Sequence, residues 1–314
     1  MSRARVIFMG TPDFAVPSLR ALCERGDLCD VVAVVTREDK PAGRGRKLTP
    51  PPVKVFADSS GVPVLQPKGV KKPEVQDQLR SFKPDLIIVA AYGRILPPAV
   101  LEIPSHACVN VHASLLPRHR GASPIAHAIL GGDAETGISI MQMDEGMDTG
   151  PVFSHRAIQM PSDATCGSAT NTLAGLGADC LLEALPGILD GSLEPQPQND
   201  DDATYAPLLK KEHGELSFLE PAEQLERKVR AFCPWPGAFA TKGDLRVQIL
   251  RASAIDARGD PGSVLEAGPD GVVVACSTGG LRLEEVKPAG RKAMGAAAWT
   301  AGRGVAKGDQ LNKT

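Results

Sequence analysis

Short apolar runs alternate with amphipathic stretches through the first 189 positions of the chain. Val6–Met9, Val31–Thr36, Asp85–Ala90, Cys108–His112 and Ile138–Met143 are of strand length, and most are bounded by Gly, Pro, Asp or Asn, residues that end a ladder or turn the chain. Between them Phe14–Arg25, Pro52–Ser60, Pro73–Ser81 and Ala122–Leu130 space their apolar residues as helices with one buried face do. Strands separated by helices predict an α/β domain with a doubly wound parallel sheet and right-handed crossovers. The long amphipathic segment Thr165–Leu189 closes it.

The pattern then changes. Residues 190–206 are polar, hold two prolines and show no period, which predicts an exposed, semi-stiff linker. Pro221–Phe232 reads as a helix, and Arg246–Ala252, Ser263–Ala267, Val272–Cys276 and Leu281–Val286 read as short strands between glycine-rich turns. Short strands with frequent turns predict a small β-barrel. The division is therefore an α/β domain over 1–189, a linker over 190–206 and a barrel domain over 207–314.

Composition narrows the class. At 314 residues and 42% apolar content the chain can bury two cores, which excludes a disulfide mini-scaffold or a disordered chain. The longest apolar run, Leu86–Tyr92, is far short of a membrane span, and the residues before Val6 are too few for a signal-peptide core. Seven cysteines without a CxxC pair predict reduced thiols and a cytoplasmic protein. The net charge of −2 hides an asymmetry: residues 190–206 carry five acids and no base, while 207–314 carry 16 bases and 13 acids. That surplus points weakly to a polyanionic partner at the C-terminal part.

The candidate chemistry lies elsewhere. There is no phosphate-binding GxxxxGK[ST] loop, no HExxH, no GxSxG and no GxGxxG after the first strand. The densest polar cluster is Asn110-Val-His-Ala-Ser-Leu-Leu-Pro-Arg118, at the carboxyl end of a predicted strand, where open α/β sheets bind ligands. Strand periodicity puts Asn110 and His112 on one face, roughly 6–7 Å apart. An amide that donates to an oxyanion beside an imidazole that moves protons suits acyl transfer. Asp144, Glu145 and Asp148, in the glycine-rich loop after the next strand, are each within reach of that imidazole. His106, Cys108 and His112 share a face too, but ~20 Å of extended chain is too long for one tetrahedral metal site, so no metal is expected. Lys40-Pro-Ala-Gly-Arg-Gly-Arg-Lys47 forms an exposed basic loop on the same rim, suited to a phosphate backbone. Trp235, braced by prolines in Arg230–Gly237, is expected to pack the barrel against its helix, with base stacking as the secondary role.

Gly10–Phe14, Asp39–Lys47, Asn110–Arg118, Gly137–Met143, Asp148–Gly150 and Pro234–Ala238, in this order, resemble the 10-formyltetrahydrofolate-dependent formyltransferase family nearly from end to end. The basic loop and the Pro-Trp-Pro-Gly segment resemble the branch that acts on initiator methionyl-tRNA. The resemblance implies a Rossmann-like N-terminal domain, a C-terminal OB-like barrel, 10-formyltetrahydrofolate as formyl-donating co-substrate and the tRNA as partner. It implies Asn110, His112 and Asp148 as the catalytic trio, with Asp148 orienting His112 and favouring its protonated form. It also implies donor contacts at Ser114, Leu115, Leu116, Pro117, Ile95, Leu96 and Asp144, and tRNA contacts at Lys40, Arg44, Arg46, Lys47, Lys210 and Lys211. Ala113 departs from a position often held by Gly in the family. A monomer without a membrane partner is expected. The alternative within the family is an enzyme acting on an amino-sugar nucleotide.

Overall fold

The computed structural model describes residues 3–42, 45 and 47–312. In chain order the first part holds β1 (Ala4–Gly10), α1 (Val16–Glu24), β2 (Cys29–Val35), β3 (Lys40–Ala42), β4 (Lys47–Thr49), α2 (Pro52–Ser59), β5 (Val64–Leu65) and α3 (Pro73–Ser81). There follow β6 (Leu86–Ala90), α4 (Pro98–Leu101), β7 (Ala107–His112), α5 (Pro124–Gly131), β8 (Glu135–Gln142), β9 (Val152–Gln159) and α6 (Cys166–Asp190). Helices α1 to α4 each carry proline at the first or second position, where the missing N–H costs nothing and the fixed φ suits a helix start.

One unit comprises residues 1–124, 135–159 and 170–206. Its sheet runs β5-β2-β1-β6-β7-β8-β9. The strands from β5 to β7 pair in parallel, and Val6–Met9 of β1 and Leu86–Ala90 of β6 are buried on both faces, as central parallel strands must be. The sheet departs from the all-parallel expectation at β8, which pairs antiparallel to β7, and at β9, antiparallel to β8. A parallel return needs a crossover helix lying on the sheet. From Ile125 to Ala134 the connection between β7 and β8 falls in the second unit.

By length and composition α6 is apolar enough to cross a membrane. Yet Leu173, Leu181 and Leu185 are fully buried, and a Cβ added at Gly177 would press on Val111 and Ile138, so its apolar face covers the sheet. Nor does the polar segment 190–206 behave as a free linker. Gln196 bridges Val152, Tyr205 bridges Arg120, and the segment belongs to this unit as far as Ala206. Its lack of period reflects a backbone held by hydrogen bonds rather than by an apolar face.

The second unit gathers residues 125–134, 160–169 and 207–314. It contains α7 (Ala222–Ala231), β10 (Phe239–Lys242), β11 (Leu245–Ile255), β12 (Val264–Gly268), β13 (Gly271–Ala275), β14 (Gly280–Pro288), β15 (Met294–Gly295) and α8 (Ala296–Ala301). The antiparallel order is β10-β11-β14-β13-β12, with β15 on β14. Register shifts around Arg251 interrupt the β11–β14 ladder, and such bulges bend and twist strands into a curled, barrel-like sheet. Trp299 is buried in this unit, whereas Trp235 is 54% exposed. The packing role expected of Trp235 therefore falls to Trp299.

Gly137 of β8 sits where a Cβ would lie 2.1 Å from the Arg156 carbonyl and 2.6 Å from Leu115 Cδ2. Gly137→Ala should cost about 1–3 kcal/mol by overpacking against backbone. Gly175→Ala, in α6 with open space around the added methyl, should instead stabilise by roughly 0.5–1 kcal/mol. Thermal denaturation of the two variants reads both signs, and a neutral Gly137→Ala would mean that β8 and β9 can part.

Candidate active site

Asn110 and His112 stand two residues apart on β7, 9% and 5% exposed. Asp148, from the loop after β8, meets them both. The Asn110 amide donates to Asp148 Oδ1 at 3.4 Å, His112 Nδ1 lies 3.6 Å from Oδ2, and the Gly121 N–H donates to Oδ2 at 2.8 Å. His112 Nε2 faces the His119 carbonyl at 3.1 Å, so that nitrogen carries the proton in the neutral ring. Asp148 holds a left-handed φ of 54°, a conformation a short polar side chain tolerates better than most. Of the three acids in the loop only Asp148 reaches the imidazole. Asp144 accepts the Thr149 hydroxyl at 2.8 and 2.9 Å and the Gly146 N–H at 3.0 Å, tying its own loop, and Glu145 is exposed.

Burial and charge compete at His112. Burial is the larger effect and lowers its pKa below the usual histidine range; the Asp148 carboxylate and the bond to the His119 carbonyl pull the other way. The expectation that Asp148 keeps the ring protonated is thus reversed. The resting imidazole is neutral, and Asp148 is placed to stabilise the proton it gains. Cys108, on the same strand, is pushed up to about 12 by burial and stays an inert thiol.

The other expected site residues divide. Ser114 is buried and its hydroxyl donates to the Arg118 carbonyl at 2.6 Å, and Leu116 packs with Met141 and Val152. Those two shape the loop, leaving Leu115 and Pro117 partly open. Ile95 is 74% exposed while Leu96 is buried in the core, so the two neighbours face opposite ways. Lys40 and Lys47 are exposed on β3 and β4, which pair as an antiparallel hairpin where a loop was expected. Arg44 and Arg46 lie outside the described residues. Lys210 and Lys211 are exposed in the second unit.

Sequence reasoning missed Ser139, His119 and Gly121. Ser139, fully buried in β8, donates to the Ser114 carbonyl at 2.7 Å and accepts the Leu116 N–H at 3.0 Å, fixing the Ser-Leu-Leu-Pro loop. Its only signal was a hydroxyl between two isoleucines, Ile138 and Ile140. A Cβ at Gly121, with φ 123°, would meet the Ala206 carbonyl at 2.7 Å, which is why this donor to Asp148 is a glycine.

The sequence matches the family described as Formyl transferase over residues 3–185 and that described as Formyl transferase, C-terminal domain, over 208–304. It is 52% identical over 310 residues to a methionyl-tRNA formyltransferase of Myxococcus xanthus, covering 99% of this chain and 98% of that relative. Among solved structures it is similar to HypX from Aquifex aeolicus in complex with tetrahydrofolic acid, with TM-score 0.62 and 20% identity, over 100% of this chain and 51% of that one. The chain thus spans about half the length of HypX. It is also similar to WlaRD, a sugar 3N-formyl transferase solved in the presence of dTDP and 5-N-formyl-THF, with TM-score 0.67 and 15% identity, over 93% and 100% of the two chains. At these identities the likeness to both structures concerns the fold alone.

A buried neutral His112 makes stability depend on pH. Below about pH 6.5 an unfolded histidine binds a proton that the native ring resists, so stability falls as pH falls from there toward the depressed native value. In His112→Gln the slope of Tm against pH between about 6.5 and 5 should be shallower than in the parent, with His155, also lowered by burial, supplying the remainder. Equal slopes would mean that His112 titrates normally in the folded chain.

Proposed function

The chain belongs to the formyl transferase family, and we propose that it transfers the formyl group of 10-formyltetrahydrofolate to the free α-amino group of methionyl-initiator tRNA, the form that starts translation. The observation that carries this reading is the convergence of Asn110 and His112 on the Asp148 carboxylate, in a chain aligned from end to end with a relative named for that reaction. Identity of 52% and 46% over nearly the whole chain to relatives named methionyl-tRNA formyltransferase favours the tRNA over an amino-sugar nucleotide. The folate-type ligands of HypX and WlaRD support a folate as co-substrate.

The mechanism follows from the geometry. The amine attacks the formyl carbon, and the tetrahedral oxyanion collapses to expel tetrahydrofolate. Asn110 keeps one amide N–H on Asp148 and has a second for the oxyanion. His112, neutral at rest, takes the amine proton at Nδ1, the ring nitrogen without a carbonyl partner, and delivers it toward N10 of the leaving folate. Asp148 Oδ2, 3.6 Å away, stabilises the imidazolium between those events. Leu115, Pro117 and Ile95 offer apolar surface to the pterin ring, and no step calls for a metal. Residues 1–189 bind the donor and perform the transfer, and residues 207–314 carry the tRNA. Lys40, Arg44, Arg46, Lys47, Lys210 and Lys211 meet its backbone and acceptor end. The protein acts as a cytoplasmic monomer without a membrane partner.

The test is formyl transfer from 10-formyltetrahydrofolate to charged initiator tRNA against a free amino-sugar nucleotide. Methionyl-tRNA should be the better acceptor by far, and a chain that formylates only the sugar would sink the reading. His112→Ala should lower kcat by roughly 10²–10⁴ and Asn110→Ala by roughly 10²–10³, with the folate KM little changed.

A base that meets only phosphate leaves a different signature. Lys210→Ala should reduce by about one the slope of log affinity against log salt, equally for all tRNAs. An unchanged slope would remove Lys210 from the contact surface.

A further inference from the structure

Five of the 17 residues from Asp190 to Ala206 are acidic and none is basic, yet the segment wraps a buried arginine beside the active site. Arg120 is 2% exposed. Its Nε and Nη2 donate to Gln198 Oε1 at 3.0 and 2.9 Å, and Nη2 also donates to Asp200 Oδ1 at 2.8 Å. With its oxygen held there, the Gln198 amide turns its Nε2 onto the carbonyls of Asp148, at 2.9 Å, and Gly150, at 2.7 Å. Neither pair of partners tolerates the flipped amide, because a guanidinium cannot accept and a carbonyl cannot donate.

Two further ties act through planar peptide groups. The His119 carbonyl that receives His112 Nε2 shares a peptide plane with the Arg120 N–H, which donates to the Thr204 carbonyl at 2.8 Å. The Gly121 N–H that donates to Asp148 shares a plane with the Arg120 carbonyl, which accepts the Ala206 N–H at 2.7 Å. Thr204 Oγ1 also accepts the His119 N–H at 2.9 Å. Both peptides that hold the catalytic pair are therefore fixed from behind by the same segment. At its other end Gln196 exchanges two 2.8 Å backbone bonds with Val152, beyond the Asp148 loop.

We infer that Gln196–Ala206 is a strap that sets the distance and orientation of His112 and Asp148, with Gln198 and Thr204 as its positioning residues and Arg120 as the buried charge that orients the Gln198 amide. This rests on the formyl-transfer reading of the same site. None of these side chains touches the reacting atoms. Their effect is on the rate of proton transfer at a bound substrate, because misplacement on the order of 1 Å costs up to about a hundredfold in rate while leaving binding surfaces in place.

The experiment is steady-state formylation of methionyl-tRNA by the full-length chain, with kcat and both KM values for parent, Gln198→Glu and Thr204→Val. Gln198→Glu keeps an acceptor for Arg120, so the buried charge stays satisfied, but sets a carboxylate oxygen against the Asp148 and Gly150 carbonyls. We expect kcat to fall on the order of tenfold to a hundredfold with both KM values within about twofold, in a protein of parental circular dichroism. Thr204→Val changes an exposed residue and removes only the hydroxyl that accepts the His119 N–H, so it should fold as the parent does. It should lower kcat several-fold with the same KM pattern, and it decides the matter alone if Gln198→Glu does not fold. Unchanged kcat in the folded variants, or a rise in KM alone, overturns the strap. A parent chain that formylates no methionyl-tRNA would overturn the reading of the site instead, so the two failures are distinguishable.

Discussion

The carboxylate of Asp148 gathers partners from two stretches of chain: the Asn110 amide and the His112 ring from β7, and the Gly121 N–H from the loop beyond it. A carboxylate that has lost most of its water is costly unless its oxygens are satisfied, and Asp148, 18% exposed at its side chain, has a hydrogen-bond donor on each oxygen. Satisfying it obliges the chain to bring the end of β7, the loop after β8 and the 117–121 turn to one point. The antiparallel β8 serves that requirement. It pairs Asn110 with Met141 and His112 with Ser139, so the loop that follows β8 begins beside β7.

The chemistry of the site follows from the balance struck at His112. In water a histidine next to a carboxylate would hold its proton near neutrality. At 5% exposure, loss of hydration outweighs the attraction, and the ring rests neutral. In the proposed transfer the base needs that neutral state, and it needs the carboxylate once it has taken up a proton. Burial supplies the first and Asp148 the second.

Much of this order was legible in the sequence. The pattern of apolar runs located β1, β2, β6, β7 and β8 and, within a residue or two, α1, α2, α3, α6 and α7, because central strands and amphipathic helices write their burial directly into the chain. The spacing of Asn110 and His112 on one strand face was equally local. Polar segments carry no such record. The basic run Lys40–Lys47 was read as a loop, although both its ends lie in strands of a hairpin, and residues 190–206 were read as a linker. Trp235 was assigned to packing because tryptophan usually packs, and its exposure depends on neighbours that composition does not name.

Local periodicity and residue chemistry thus determined the strand and helix segments, the division into an α/β part and a β part, and the strand that bears Asn110 and His112. Which carboxylate among Asp144, Glu145 and Asp148 serves the imidazole, whether that imidazole rests charged or neutral, and what Gln198 and Arg120 hold were decided only by the tertiary structure. The reason is physical: hydrogen bonds between Asp148 and Gly121, or between Gln198 and the Asp148 carbonyl, join residues 27 and 50 positions apart. No period along the chain encodes such a pairing, and the desolvation that sets a pKa exists only once distant segments have closed over the group.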